Sequence, residues 1–221
     1  LKHKISGSYF DNIAPYLKEE NEGVFTAAVS AIRSILIICN LAEVNRNAWS
    51  ATVAALNRAN KMNNKVVIGY CFECLHCLSQ NSIHWRNIMD NPIDFSPALT
   101  DKGMERDFLT ISLNVLPWIS DYPFANTFVL ERNRENKCEQ FKEYAEMIKP
   151  VVLKFIERSD DVLHMLQLFC ILLQQLKFSV DSELLSILTS HSVNSNFAFI
   201  LLKIASLISN QVNLYWFELI P

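Results

Sequence analysis

Glycine is scarce in this chain, with four residues in 221. Phosphate-binding loops, doubly wound α/β sheets and tightly turned β-sandwiches all need glycine where the backbone turns sharply or approaches a ligand. The composition therefore disfavours these folds and the nucleotide sites that they carry. Charged residues are also scarce, at 19 %, while apolar residues make up 50 %. Because intrinsic disorder needs the opposite balance, the sequence predicts a folded domain.

Basic residues are too few and too dispersed for a nucleic-acid surface. The net charge is −3, which is too small to steer a polyanion or an anionic membrane. Solenoid proteins that bind nucleic acids line a groove with many more cations, so we do not expect direct nucleic-acid binding. No apolar run approaches the ~18–20 residues of a membrane span, so we expect no membrane insertion.

The cysteines indicate a reducing compartment. Most of them fall inside apolar helical patterns rather than in loops, which is typical of buried, reduced core thiols. The six are Cys39, Cys71, Cys74, Cys77, Cys138 and Cys170. No secretory signal opens the chain, so we expect a cytoplasmic or nuclear protein. Since the first residue is not Met, we also expect a fragment of something longer.

Apolar residues recur at helical spacing along nearly the whole chain, and strict alternation never exceeds four or five residues. This periodicity predicts an all-α fold of about nine or ten helices, with Asp101 capping one of them and Pro150 bending another. Residues 121–134 are predicted to form an irregular connecting loop. The predicted helices cover residues 9–18, 24–40, 47–59, 64–80, 82–89, 101–119, 136–157, 160–177, 181–190 and 195–209.

The longer helices begin near Val24, Asn64 and Gly103, in steps of 40 and 39 residues. A period of about 40 residues is typical of two-helix HEAT and armadillo repeats. No residue signature recurs from one unit to the next, so the likeness is one of class. The chain resembles an irregular HEAT/armadillo-like helical solenoid that forms a single domain over residues 1–221. A globular helical bundle is the alternative.

Cys71-x-x-Cys74-x-x-Cys77 is the strongest chemical motif, with His76 inside it and His84 shortly after. Three thiolates and an imidazole could bind zinc, and thiolates also hold iron–sulfur clusters. A zinc knuckle needs a turn that aims its thiolates at one point, whereas this stretch is an unbroken apolar helical pattern. We therefore interpret the cysteines as core residues and expect no metal or other cofactor.

Two further pairs could suggest metal chemistry. Glu73-x-x-His76 and Asp161-x-x-His164 have the spacing of the paired motifs in di-iron carboxylate bundles. Each pair lies on a polar helical stripe, which predicts two solvent-exposed faces rather than a metal centre. Asp160-Asp161 precedes a helix without further carboxylates one turn on, which fits capping and the helix dipole better than magnesium binding.

Nothing in the sequence matches a nucleophile elbow, a zinc-protease motif or a phosphate loop, so we expect no enzymatic activity. Several aromatic residues fall outside the core spacing, and Trp, Tyr and Arg dominate the energetics of interfaces. These residues, predicted to contact a partner, are Trp85, Arg86, Trp118, Tyr122, Phe124, Tyr215, Trp216 and Phe217.

The leading hypothesis is a non-enzymatic protein–protein interaction scaffold. It would be a subunit or module of a larger intracellular assembly that binds a partner helix or peptide, or dimerises. One alternative is a metal-binding helical-bundle protein that uses the region of Cys71 to His84. Another is a structural subunit of a nucleic-acid-processing complex, in which a different subunit performs the chemistry.

Overall fold

A computed structural model describes residues 8–38, 44, 47–81, 90–115, 134–158, 162–175, 182–190 and 198–212. These residues contain nine α-helices and two 3₁₀ helices, and no β-strand occurs among them. The all-α prediction is thus confirmed. The chain divides into two compact units, residues 1–115 and 116–221, which are described separately below. The prediction of one continuous repeat domain stays a prediction.

The first unit contains five α-helices and two short 3₁₀ helices. The predicted helix at 9–18 is an α-helix followed by a 3₁₀ helix, with Pro15 in the first turn of the 3₁₀ helix. The predicted short helix at 82–89 lies outside the described residues. In chain order the elements are α1 (Ser8–Ile13), η1 (Ala14–Lys18), α2 (Glu22–Ile38), α3 (Ala48–Lys61), α4 (Lys65–Ser79), η2 (Ser96–Leu99) and α5 (Lys102–Val115).

Short polar side chains set several helix starts in this unit. The Asn64 side chain accepts a hydrogen bond from the Val67 N–H at 3.1 Å, and Asn21 does the same for Val24 at 3.1 Å. Asp101 accepts from the Gly103 N–H at 2.8 Å, as its predicted capping role requires. Each bond satisfies a backbone donor that has no partner within the helix. The described part of α5 ends at Val115, so the predicted continuation to 119 is untested.

The turn between α3 and α4 is a Schellman motif. Asn63 has a φ of 52°, the left-handed conformation that closes this kind of helix end. Its N–H bonds to the carbonyl of Asn60 at 3.0 Å, and the Asn64 N–H bonds to that of Ala59 at 3.1 Å. Asn tolerates the left-handed region better than most residues. The chain therefore reverses sharply, and α3 packs on α4.

Helix α4 is the centre of the first unit, since it packs against α2, α3 and α5. The surrounding core is rich in aromatic residues with no more than 3 % exposure. In one cluster, the ring of Phe95 meets that of Phe108 edge-on, with the centroids 4.8 Å apart. The largest fully buried side chains of this unit are Phe10, Phe25, Trp49, Leu56, Phe72, Leu75, Leu78, Phe108 and Ile111.

The second unit contains α6 (Arg134–Arg158), α7 (Val162–Gln175), α8 (Ser182–Ser190) and α9 (Ala198–Val212). Helix α7 packs against both α6 and α9. The core of the second unit contains the buried side chains of Tyr144, Phe155, Phe169 and Ile204.

Pro150 lies inside α6 as expected, and the bend predicted there stays a prediction. Helix α9 ends at Val212, three residues beyond its approximate predicted end at 209. The predicted loop at 121–134 lies outside the described residues, apart from the first residue of α6.

Candidate partner-binding groove

An open groove of about 660 Å³ lies in the first unit between η1 and α3. Its walls are mainly aliphatic, and three charged residues lie along them. The lining residues are Ala14, Leu17, Lys18 and Glu20 on the η1 side, with Ala51, Ala54, Ala55, Arg58 and Met62 on α3. A volume of this size lies within the range of sites that hold small ligands or peptide side chains. The groove is therefore a candidate binding site in this unit.

The groove exists because α3 presents small side chains towards η1. Ala51, Ala54 and Ala55 fill little of the space between the two elements, and Ala54 is itself exposed. On the opposite side, η1 packs on α2 and buries Leu17, which keeps the wall apolar. Alanine spacing in the third predicted helix was the one sequence signal for this groove. It was not recognised, because the opposite wall comes from a segment about 40 residues earlier.

Arg58 connects the two walls of the groove by hydrogen bonds. Its Nη1 donates a hydrogen bond to the carbonyl of Leu17 at 3.0 Å, and its Nη2 donates a longer bond to that of Glu20 at 3.4 Å. The guanidinium carbon also lies 4.2 Å from the ring centroid of Phe25, within cation–π distance. The Arg58 charge is thus held in a fixed position in the lining of the groove.

The polar stripe of α4 forms a second group of interest, and its middle is less exposed than the sequence predicted. Glu73 and His76 were expected on a solvent face, but both are partly buried between helices. Arg33 of α2 donates to Glu73, while the His76 Nδ1 lies 2.7 Å from the Asp107 Oδ1 of α5. The helical periodicity correctly placed the two residues on one stripe. It could not show that α2 and α5 pack over that stripe.

These polar contacts connect α4 to the neighbouring helices α2 and α5. The Arg33 guanidinium lies 5.1 Å from the ring centroid of Tyr70, and the hydrogen bond to Glu73 raises the pKa of Arg33. On the α5 side, the Asn114 Nδ2 donates to the buried Ser79 hydroxyl at 3.0 Å. In each of these pairs, the α4 side chain contacts a side chain of a neighbouring helix. The arrangement therefore stabilises the packing of α4.

The three cysteines of α4 lie on a continuous helix, as predicted. Cys71 and Cys74 are fully buried, and Cys77 is partly buried. Burial raises the pKa of the Cys71 thiol to about 12 and that of Cys74 well above its usual range. Burial first, and then the charge of Asp107, also raises the pKa of Cys77. Such thiols stay protonated at neutral pH, whereas nucleophiles and metal ligands need the thiolate.

In the part of the chain that the structure describes, no three His, Cys, Asp or Glu side chains are grouped closely enough to hold a metal ion. His84, Asp160 and Asp161 lie outside that part. His164 is exposed at the start of α7, where its polar stripe was predicted to face solvent.

The eight residues predicted to contact a partner all lie outside the described ranges, so their roles stay predictions. They are Trp85, Arg86, Trp118, Tyr122, Phe124, Tyr215, Trp216 and Phe217. The structure instead exposes other large apolar side chains. The most exposed belong to α9, where Phe199 is 76 % and Leu202 is 71 % accessible.

Helix α9 is apolar on two sides. Ile200, Ile204 and Ile208 form its buried face, in the unit where α9 packs on α7, while Phe199 and Leu202 point away from that core. A helix that is apolar all round is normally buried all round. Among the described residues, no helix has the length and hydropathy to cross a membrane. The exposed side chains of Phe199 and Leu202 make the outward face of α9 a second candidate contact surface.

Comparisons of the chain with protein-family models, with curated proteins and with solved structures found no match.

Proposed function

We propose that this chain is a non-enzymatic protein–protein interaction module that binds an amphipathic helix of a partner in the groove between η1 and α3. The groove is the observation that carries the proposal, because an open apolar trough beside a helix is the usual receptor for such a segment. The surrounding charged residues would then mark the edge of the interface, as polar rims do elsewhere.

The dimensions of the groove favour a helix over a small molecule. Along α3 the lining extends from Ala51 to Met62, which corresponds to about 16 Å, or three helical turns. Small molecules bind tightly where most of their surface becomes buried. Here Lys18, Glu20 and Ala54 are exposed, so the groove is open along one side. A partner helix with apolar residues at i, i+4, i+7 and i+11 could cover the same length of α3 with one face.

The outward face of α9 supports the same class of function. Exposed side chains as large as Phe199 and Leu202 are frequent at protein interfaces. In this proposal the chain is one part of a larger assembly in the cytoplasm or nucleus. Its own helices form a HEAT/armadillo-like array. Such arrays present long surfaces to their partners.

A selection experiment tests the groove directly. A phage-displayed library of 15-residue helical peptides would be selected on the full chain, and individual binders would be measured by fluorescence anisotropy. Ala54→Glu places a charged side chain in the groove at an exposed position, so the fold should tolerate it. Asn57→Glu is the matched control, since Asn57 is exposed on the same helix and does not line the groove.

We expect the selected peptides to bind Ala54→Glu at least about tenfold more weakly than the parent chain and to bind Asn57→Glu normally, because a buried unpaired carboxylate costs more than 1.4 kcal/mol. If neither substitution changes the affinity of the selected peptides, the groove is not the binding site. Native mass spectrometry provides a further check. A dimer of the parent chain that Ala54→Glu dissociates would identify a second copy of the chain, rather than a partner helix, as the occupant.

A further inference from the structure

We propose that the partner helix binds this groove through large apolar side chains, with the largest of them placed where the helix crosses the alanines of α3. This inference rests on the proposed function, and it adds the size and the position of the side chains that the partner must carry. It follows from the area, the volume and the lining of the groove.

The area of the groove favours a single helical segment over a second folded copy of the chain. The lining extends about 16 Å along α3, and a helix with its side chains is about 10 Å across, so the covered strip measures about 160 Å² in projection. A stable dimer needs about 800 Å² from each partner. A contact this small binds well only when a few side chains supply most of the free energy, as anchor residues do at other interfaces.

The volume of the groove determines the size of those anchors. A cavity of about 150 Å³ holds one apolar group as large as benzene. The groove, at about 660 Å³, therefore has room for about four such groups. A helix of this length presents four side chains on one face, at i, i+4, i+7 and i+11. Small side chains at these positions would leave the apolar walls without contacts, so the partner must carry large ones.

The lining gives the groove a wider half and a narrower half along α3. The N-terminal half of α3 contributes Ala51, Ala54 and Ala55, whose side chains end at Cβ. The C-terminal half contributes Arg58 and Met62, whose longer side chains occupy part of the space. Arg58 is held in this position by its hydrogen bonds to the η1 side. The largest anchor therefore fits opposite the alanines, which favours one of the two directions in which a partner helix can lie.

The selected peptides provide the test. Those that depend on the groove, as defined by Ala54→Glu and Asn57→Glu, would be sequenced, and each enriched apolar residue would be changed to Ala. Every peptide would then be measured against the parent chain, against Ala54→Leu and against Asn57→Leu. Ala54→Leu adds volume in the wider half without adding charge, and the fold should tolerate it because Ala54 is exposed. Asn57→Leu is the matched control, since Asn57 is exposed on the same helix outside the lining.

We expect Leu, Met, Phe or Trp to be enriched at one peptide position, and its change to Ala to weaken binding to the parent chain at least about tenfold. Ala54→Leu should weaken the peptide with the large residue about three- to tenfold, because the groove is overfilled, and should not weaken the Ala peptide. Asn57→Leu should affect neither peptide. Groove-dependent peptides that tolerate Ala at every enriched position, or whose affinity for Ala54→Leu changes by the same factor with either residue, would overturn this inference and leave the proposed function intact. A library without any groove-dependent binder would overturn the proposed function, and this inference with it.

Discussion

The buried thiol of Cys71 makes the stability of the first unit sensitive to alkaline pH. Its pKa is raised to about 12 in the folded chain from about 9 when exposed, because burial penalises the thiolate. Between these values the unfolded chain loses the Cys71 proton and the folded chain keeps it. The contribution is therefore fully present below pH 9 and is lost as the pH rises towards 12. One titrating group changes the unfolding free energy by about 1.4 kcal/mol per pH unit, so the loss at pH 10 is about 1–2 kcal/mol.

Urea unfolding followed by circular dichroism at pH 7 and pH 10 measures this loss, with Cys71→Ala as the comparison. The substitution lowers stability at both pH values by removing buried volume. The difference between the two pH values should nonetheless shrink by about 1–2 kcal/mol in the variant, because the titrating group is gone. An equal loss of stability in the two proteins would refute the reasoning. Rapid alkylation of Cys71 by iodoacetamide in the native protein at pH 8 would contradict it independently.

Three further substitutions test the packing. Asn63→Ala should cost about 1 kcal/mol, and Asn63→Gly should cost less, because alanine is strained at a φ of 52°; thermal unfolding of the two variants distinguishes them. Phe108→Ala should destabilise the first unit by about 3–5 kcal/mol, since its fully buried ring leaves a cavity beside Phe95; a urea midpoint close to the parent value would contradict this. Leu202→Glu should change stability by less than about 0.5 kcal/mol, while Ile204→Glu on the opposite face should severely destabilise the second unit. Equal effects of the last two would show that α9 is not oriented as described.

Local signals in the sequence predicted the helices well. Apolar spacing located α2, α3 and α4 to within a few residues, and Asn64 and Asp101 marked true helix starts because their side chains satisfy backbone donors. The interpretation of Cys71 and Cys74 as core residues was also confirmed, since continuous helical spacing excludes the turn that a zinc knuckle needs.

The sequence was less informative wherever a site depends on packing between distant segments. Helical periodicity placed Glu73 and His76 on one stripe, but their partners Arg33 and Asp107 lie 40 and 31 residues away in the chain. The groove depends in the same way on η1 and α3, joined by a bond from Arg58 to a carbonyl 41 residues earlier. Such pairings follow from the tertiary arrangement, which the spacing of residues along one helix does not encode.

The central position of α4 has a consequence for the motions of the first unit. Because α4 packs against α2, α3 and α5, the amide protons of its buried central turns should exchange with solvent only when the whole unit unfolds. We expect the short η1 wall to open by a smaller fluctuation that breaks the Arg58 bonds and leaves α4 in place. A helix bound between η1 and α3 would suppress this local opening. Amide exchange in η1 would then slow on binding, while exchange in α4 would report the added stability of the entire unit.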